Sequence, residues 1–277
     1  MISLREFSWG VFALLATASF AWADPVAQVT KLSGSATLLR ENATAPLVLG
    51  AALEPGDEVA TDATGRVRLQ LIDGSVINLG SETRFAIDQV ISGGIGTDRN
   101  VSLDLSQGAL LAGAAKATPN SRFEIRTPRA VTSVRGTEWG ILSDAVKTDV
   151  MVVSGRVGVR KNEISGASGV SLTRQSGISV TNDALGESSR WGEDRFAELM
   201  SVTSVPGAET GFDLNKAAPL SFTPTKAEIP ATPAPQSTPT KRKCYAQDDD
   251  SCDRDRGNDS DHEHNDHDND HEHDSIN

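Results

Sequence analysis

The chain has 277 residues and two cysteines, with 26 Lys and Arg against 38 Asp and Glu for a net charge of −12. Residues 248–277 hold 13 acidic and 2 basic side chains, so −11 of that charge belongs to the C-terminal tail and the remainder is close to neutral. A near-neutral body with no basic stripe, its Lys241-Arg242-Lys243 cluster being three residues beside an acidic run, argues against nucleic acid as a partner, and two cysteines cannot staple a disulfide scaffold.

In chain order, Arg5 precedes an apolar run from Val11 to Phe20, and Ala21-Trp22-Ala23 fits the small-x-small rule for cleavage before Asp24. Residues 1–23 are therefore expected to be a signal peptide that delivers the protein to the periplasm or beyond. No membrane span is expected after cleavage, because no later segment approaches the roughly 20 apolar residues that a spanning helix needs.

Residues 24–200 read as one β domain. Val67, Leu69 and Leu71 alternate with Arg68 and Gln70, the period of two of a strand buried on one face. Strand, turn and strand recur around Ser33-Gly34, Asp73-Gly74, Gln107-Gly108, Ser154-Gly155 and Ser176-Gly177, and each pair is expected to be a corner between two strands. The spacing of these turns is uneven, so the expected fold is all-β: an irregular solenoid-like stack or a twisted sandwich of short strands. Phe196, Leu199 and Met200 fall at helical spacing within 187–200 and predict one short C-terminal helix. Seven of the twelve prolines lie in residues 201–247, which reads as an extended linker, and residues 248–277 read as a disordered acidic tail.

From Leu53 to Gly155 the chain resembles the FecR domain of periplasmic iron-transport regulators and stand-alone envelope proteins. The resemblance rests on LEPGDEVATDATGRVRLQLIDGSVINLG (53–80), Gly108-Ala109-Leu110, TPRAVTSVRGTEWG (127–140) and VSGRVGV (153–159). It implies an all-β module that works by protein contact and carries no catalysis, with another envelope protein as partner. Regulators of the best-known type add a cytoplasmic sigma-factor-binding region and a membrane span. Here a secretion signal is expected at the N-terminus instead, so the module carries over and the pathway does not.

Within these words Asp73, Gly74, Arg135, Gly136 and Thr137 read as structural positions. Thr127-Pro128 starts an extended stretch, and Val131, Val134, Trp139 and Ile141 anchor either side of Arg135-Gly136-Thr137. That triplet is expected to be a corner, with Arg135 tying down carbonyls or the Glu138 carboxylate.

All five histidines and both cysteines lie beyond residue 243. The β domain therefore lacks the side chains for a Ser-His-Asp or Cys-His centre or a zinc site with imidazole or thiolate ligands, and no enzyme and no required cofactor are expected. Gly93 to Asp98 matches a calcium nonapeptide start once only and reads as a hairpin loop. Cys244 and Cys252 are expected to close a small disulfide loop. His262, His264, His267, His271 and His273 occur within two Asp-His-Glu-His repeats and their surroundings, and weak multi-site binding of Zn, Ni or Cu by this tail is the alternative function.

Overall fold

A computed structural model describes residues 24–116, 118–162 and 169–208, together with Phe212 and Leu220. The first strand, β1 (Ala27–Ser33), lies in one layer, and at Gly34 the chain turns into a second layer to form the hairpin β2 (Ala36–Arg40) and β3 (Ala43–Pro46). It returns as β4 (Ala52–Leu53) beside β1, then pairs β5 (Glu58–Thr61) with β2. A corner at 62–65 leads to the first-layer hairpin β6 (Arg66–Leu71) and β7 (Val76–Leu79), and one at 80–83 to β8 (Arg84–Ser92) in the second layer.

The fifteen-residue β9 (Arg99–Gly113) belongs to both layers. Its first half pairs with β8 and its second half with β7. The chain then places β10 (Arg122–Arg126) parallel to the first half of β9 and folds back antiparallel as β11 (Ala130–Val134). Residues 135–137 lead back to the first-layer hairpin β12 (Glu138–Ser143) and β13 (Lys147–Ser154). Gly155 turns into β14 (Arg156–Lys161) and β15 (Val170–Thr173), and Arg174-Gln175 into β16 (Ser176–Thr181) and β17 (Ser189–Arg190). The helix α1 (Glu193–Thr203) follows.

Strand order is thus β4-β1-β6-β7-β9-β12-β13-β16-β17 in the first layer and β3-β2-β5-β8-β9-β10-β11-β14-β15 in the second. Both advance with the sequence, so the two expected pictures merge: a two-layer sandwich wound up strand by strand. Val67, Leu69 and Leu71 face inward beside Leu38, Leu103 and Trp139, all at most 1% exposed. Each such aliphatic side chain contributes about 1.5–3 kcal/mol relative to leaving it in water. Across the layers Phe123 meets Trp139 edge to face, ring centroids 5.7 Å apart. Phe85 is buried too.

The corners hold one another through threonine hydroxyls. Thr61 Oγ1 donates to the Gly80 carbonyl at 2.7 Å and accepts from the Thr83 amide at 2.9 Å. Thr83 Oγ1 in turn accepts from the Ala109 amide at 3.0 Å and lies 3.2 Å from the Ala109 carbonyl. The pattern recurs at Thr137, whose Oγ1 donates to the Arg156 carbonyl at 2.9 Å and accepts from its amide at 3.3 Å. A chain that leaves one sheet for another loses ladder partners at the corner, and a short hydroxyl side chain from the next corner replaces them. Gly108 (φ +98°) and Gly155 (φ +90°) make the approach possible, since an added Cβ would come within 2.8 Å of Thr83 Cβ or Thr137 Oγ1.

Three expectations need correction. Gln107-Gly108 does not separate two strands: it is the bend at which the single strand β9, each half of which is paired on both sides, changes layers. Ser176-Gly177 lies inside β16, and the turn is Arg174-Gln175 with Gln175 at φ +63°. Gly177 instead leaves room for the Trp191 ring, whose Cε3 would stand 2.8 Å from an added Cβ. The helix begins at Glu193 rather than Glu187, because Ser189 and Arg190 pair with Gly177 and Ser176 as β17.

The helix covers the outer face of the first layer. Register aligns Leu111, Gly140, Met151 and Gly177 in one row across four strands, and Leu199 packs into the space over Gly140. Glu138, two residues before Gly140, is half-buried there, and burial pushes its carboxyl above the usual range.

Two outcomes follow from these contacts. Thr83→Val strands the Ala109 amide, while the Ala109 carbonyl keeps the Gly80 amide as its donor, and should cost about 1–3 kcal/mol in urea denaturation, with an unchanged m value, whereas Thr37→Val on the exposed face of β2 should cost almost nothing. Because the folded carboxyl of Glu138 titrates above the unfolded one, its contribution to stability is present at pH below the unfolded value and is lost as pH rises through the folded value. Glu138→Gln should therefore gain stability relative to the parent between pH 4 and pH 7, measured as the difference in melting temperature at each pH.

Candidate interaction surface

The tip of the β6–β7 hairpin is closed by Asp73 and Gly74. Asp73 Oδ1 accepts from the Ser75 amide at 2.9 Å, and Oδ2 accepts from the Ser75 hydroxyl and from Arg99 Nη1, both at 2.7 Å. Gly74 sits at φ +84° and donates its amide to the Leu71 carbonyl. The Asp73 and Arg99 side chains are 1% and 2% exposed. Arg99 Nη2 reaches the Ala115 carbonyl at 2.7 Å, the Ala115 amide donates to Ser75 Oγ at 3.1 Å, and the Arg99 guanidinium lies 5.2 Å from the Phe123 ring centre. Burial pulls the Arg99 pKa down and Asp73 opposes it; arginine starts so high that it stays a cation.

This closed ring carries the second motif. Ala114 donates its amide to the Thr137 carbonyl at 2.9 Å, and Gly136 (φ +70°) rests on Lys116. Asp73-Gly74 and Arg135-Gly136-Thr137, sixty residues apart, thus meet through the segment that follows β9. Arg99 and Ser75 were not singled out from the sequence. The signal was present: Arg99 continues the inward series of Val101, Leu103 and Leu105, so a cation is placed where a core residue is expected.

Arg135 does not tie down Glu138. The corner sends the two apart, Glu138 to the outer face of the first layer and Arg135 to the outer face of the second. The pairings Glu124 with Ser133, Val134 with Val157 and Arg156 with Thr173 put Arg122 on β10, Arg135 just past the end of β11, Arg156 on β14 and Thr173 on β15 at successive positions across the second layer. One step inward the same strands present Ser133, Gly158 and Ser171. These two rows line an open groove of about 810 Å³. Arg122 is paired with Glu124 at 2.8 Å, but the Arg135 and Arg156 guanidinium groups have no ion pair or hydrogen bond among the described residues, and both side chains are exposed.

Cys244, Cys252, His262, His264, His267, His271 and His273 lie outside the described residues. Among the described residues no group of three or more His, Cys, Asp or Glu could hold a metal ion, and no helix is long and apolar enough to cross a membrane. Residues 93–98, the calcium-like stretch, form the tip of the β8–β9 hairpin.

The Asp73–Arg99 pair gives a measurable outcome. Asp73→Asn leaves a buried cation without its counter-charge and should destabilise the fold by about 3–5 kcal/mol, while the same change in an Arg99→Met background should cost clearly less. A double-mutant cycle by chemical denaturation reads the difference.

No curated protein matches the chain. Two crystal structures of a candidate anti-sigma factor from Parabacteroides distasonis ATCC 8503, at 1.65 and 2.50 Å resolution, are similar to it at 20% identity with a TM-score of 0.39. Each similarity covers 49% of this chain and 59% of that one, so the chain spans under two thirds of their length. Residues 57–158 match the family described as FecR protein, a span from the residue before β5 to the middle of β14 that contains Thr61, Thr83, Thr137 and the Asp73–Arg99 pair. Over residues 57–158 the chain is thus similar to the FecR family.

Proposed function

We propose that this FecR domain is a non-enzymatic contact module of the bacterial envelope, exported by residues 1–23, that binds another envelope protein. The observation that carries this reading is the asymmetry of the two outer faces: α1 covers the first layer, while the second presents an open groove whose rim holds Arg135 and Arg156, neither paired among the described residues. The absence of histidine and cysteine before residue 244 supports a role without nucleophilic or metal chemistry in the domain. The family resemblance to envelope regulators points to sensing or scaffolding as the use of such contact. Crosslinking and affinity capture of the protein from its own envelope should return one partner in stoichiometric amount; turnover in glycosidase and esterase screens with no partner captured would contradict the reading.

A second reading rests on the Asp-His-Glu-His repeats at 261–264 and 270–273, in which the tail buffers Zn, Ni or Cu and the β domain localises it. Imidazole binds metal only when neutral, so affinity should fall as pH drops through the ordinary histidine range. Calorimetric titration of Zn and Ni into the protein with and without residues 248–277 separates the readings. Uptake confined to the longer form favours buffering; equal, negligible uptake ends it.

A further inference from the structure

We propose that the arginine-rimmed groove on the outer face of the second layer binds an extended acidic segment of a partner protein. The inference rests on the protein-contact reading and gives that contact a place and a chemistry. Adjacent strands lie about 4.8 Å apart, and Val134, the last residue of β11, pairs with Val157, so Arg135 just beyond it and Arg156 at the start of β14 hold two like charges side by side. Like charges at facing positions destabilise a sheet, and no described carboxylate relieves this pair. Arg122 is already neutralised by Glu124, which leaves a local surplus of two positive charges at one end of the groove.

The floor suits a backbone. Ser133, Gly158 and Ser171 are small, so the space above them is open, and the two serine hydroxyls accept and donate hydrogen bonds. Next to the groove β15 is the last strand of the second layer among the described residues, and its outer edge is free to pair with an added strand. An extended segment on that edge presents every second side chain to the face on which Arg135 and Arg156 stand, and one of these positions continues the row of Thr173 and Arg156. Guanidinium groups take carboxylates as two parallel hydrogen bonds, a geometry that favours Asp and Glu over a neutral chain. A sugar polymer fits less well, because Phe123, the aromatic of the groove lining, is 1% exposed and offers no face for a ring to stack on.

The test uses the full chain and a fluorescein-labelled peptide of alternating Glu and Thr, with the Gln-Thr peptide and polygalacturonate as comparators, read by fluorescence anisotropy at two salt concentrations. The expected result is saturable binding of the acidic peptide, no binding of the neutral one, and weakening with salt. Arg135→Ala with Arg156→Ala should lower the affinity at least about tenfold, with a melting temperature equal to or above that of the parent, while Arg190→Ala should change neither. Unchanged affinity in the double variant, or polygalacturonate binding tighter than the peptide, overturns the proposal. If the double variant still captures the same envelope partner, the groove assignment fails while the protein-contact reading stands; if no partner is captured by either form, the reading itself fails.

Discussion

A strand that passes from one layer of a sandwich to the other must break its hydrogen-bond ladder where the layers are closest and solvent has least access. Here the break is repaired by the hydroxyl of a threonine on the neighbouring corner, at Thr61, Thr83 and Thr137. The repair needs an approach that a Cβ would block, which is why glycine stands at 108 and 155. Threonine suits the other half of the contact: its branched Cβ favours the extended backbone of a strand end, and its oxygen both gives and accepts. Each corner thereby sets the position of the next, and the layers advance together along the chain.

The arginine row depends on this constraint. Arg135 and Arg156 come from two successive corners, and Thr137 fixes their relation by bonding the Arg156 backbone directly. Beneath them the ring of Asp73, Ser75, Arg99 and Ala115 anchors the segment against which Gly136 rests. A buried ion pair adds little net stability over a well-packed apolar pair, but it punishes any arrangement that separates its members. Its placement between the β6–β7 hairpin and the start of β9 selects one register for both. On the opposite side the outer face of the first layer is closed by Leu199 and Trp191 seated over Gly140 and Gly177.

Much of this was legible in the sequence, and the part that was not has a common cause. The inward series Val67, Leu69 and Leu71, the buried aromatics Phe85, Phe123 and Trp139, and the corner at Arg135-Gly136-Thr137 follow from local alternation and turn chemistry, which neighbours in sequence decide. Glycine is ambiguous because two physical needs select it: positive φ, as at Gly74, and room for a side chain from elsewhere, as at Gly177. Read one at a time, the two cannot be distinguished. A pairing of Arg135 with Glu138 is local in sequence and wrong in space, since a corner lies between them. The arginine row is the reverse case: 122, 135 and 156 are far apart in the chain, form no basic run, and become one feature only when strand order is known.

Native-state hydrogen exchange at the Ala109 and Arg156 amides tests the central claim most directly, because both are held by a threonine hydroxyl and not by a neighbouring strand. If the corners are clasped in this way, these two amides should open with free energies close to those of the interior of β9 and β12. Exchange as fast as that of the exposed hairpin tip at 93–98 would show that the corners are loose and that the threonines do not set the register of the layers.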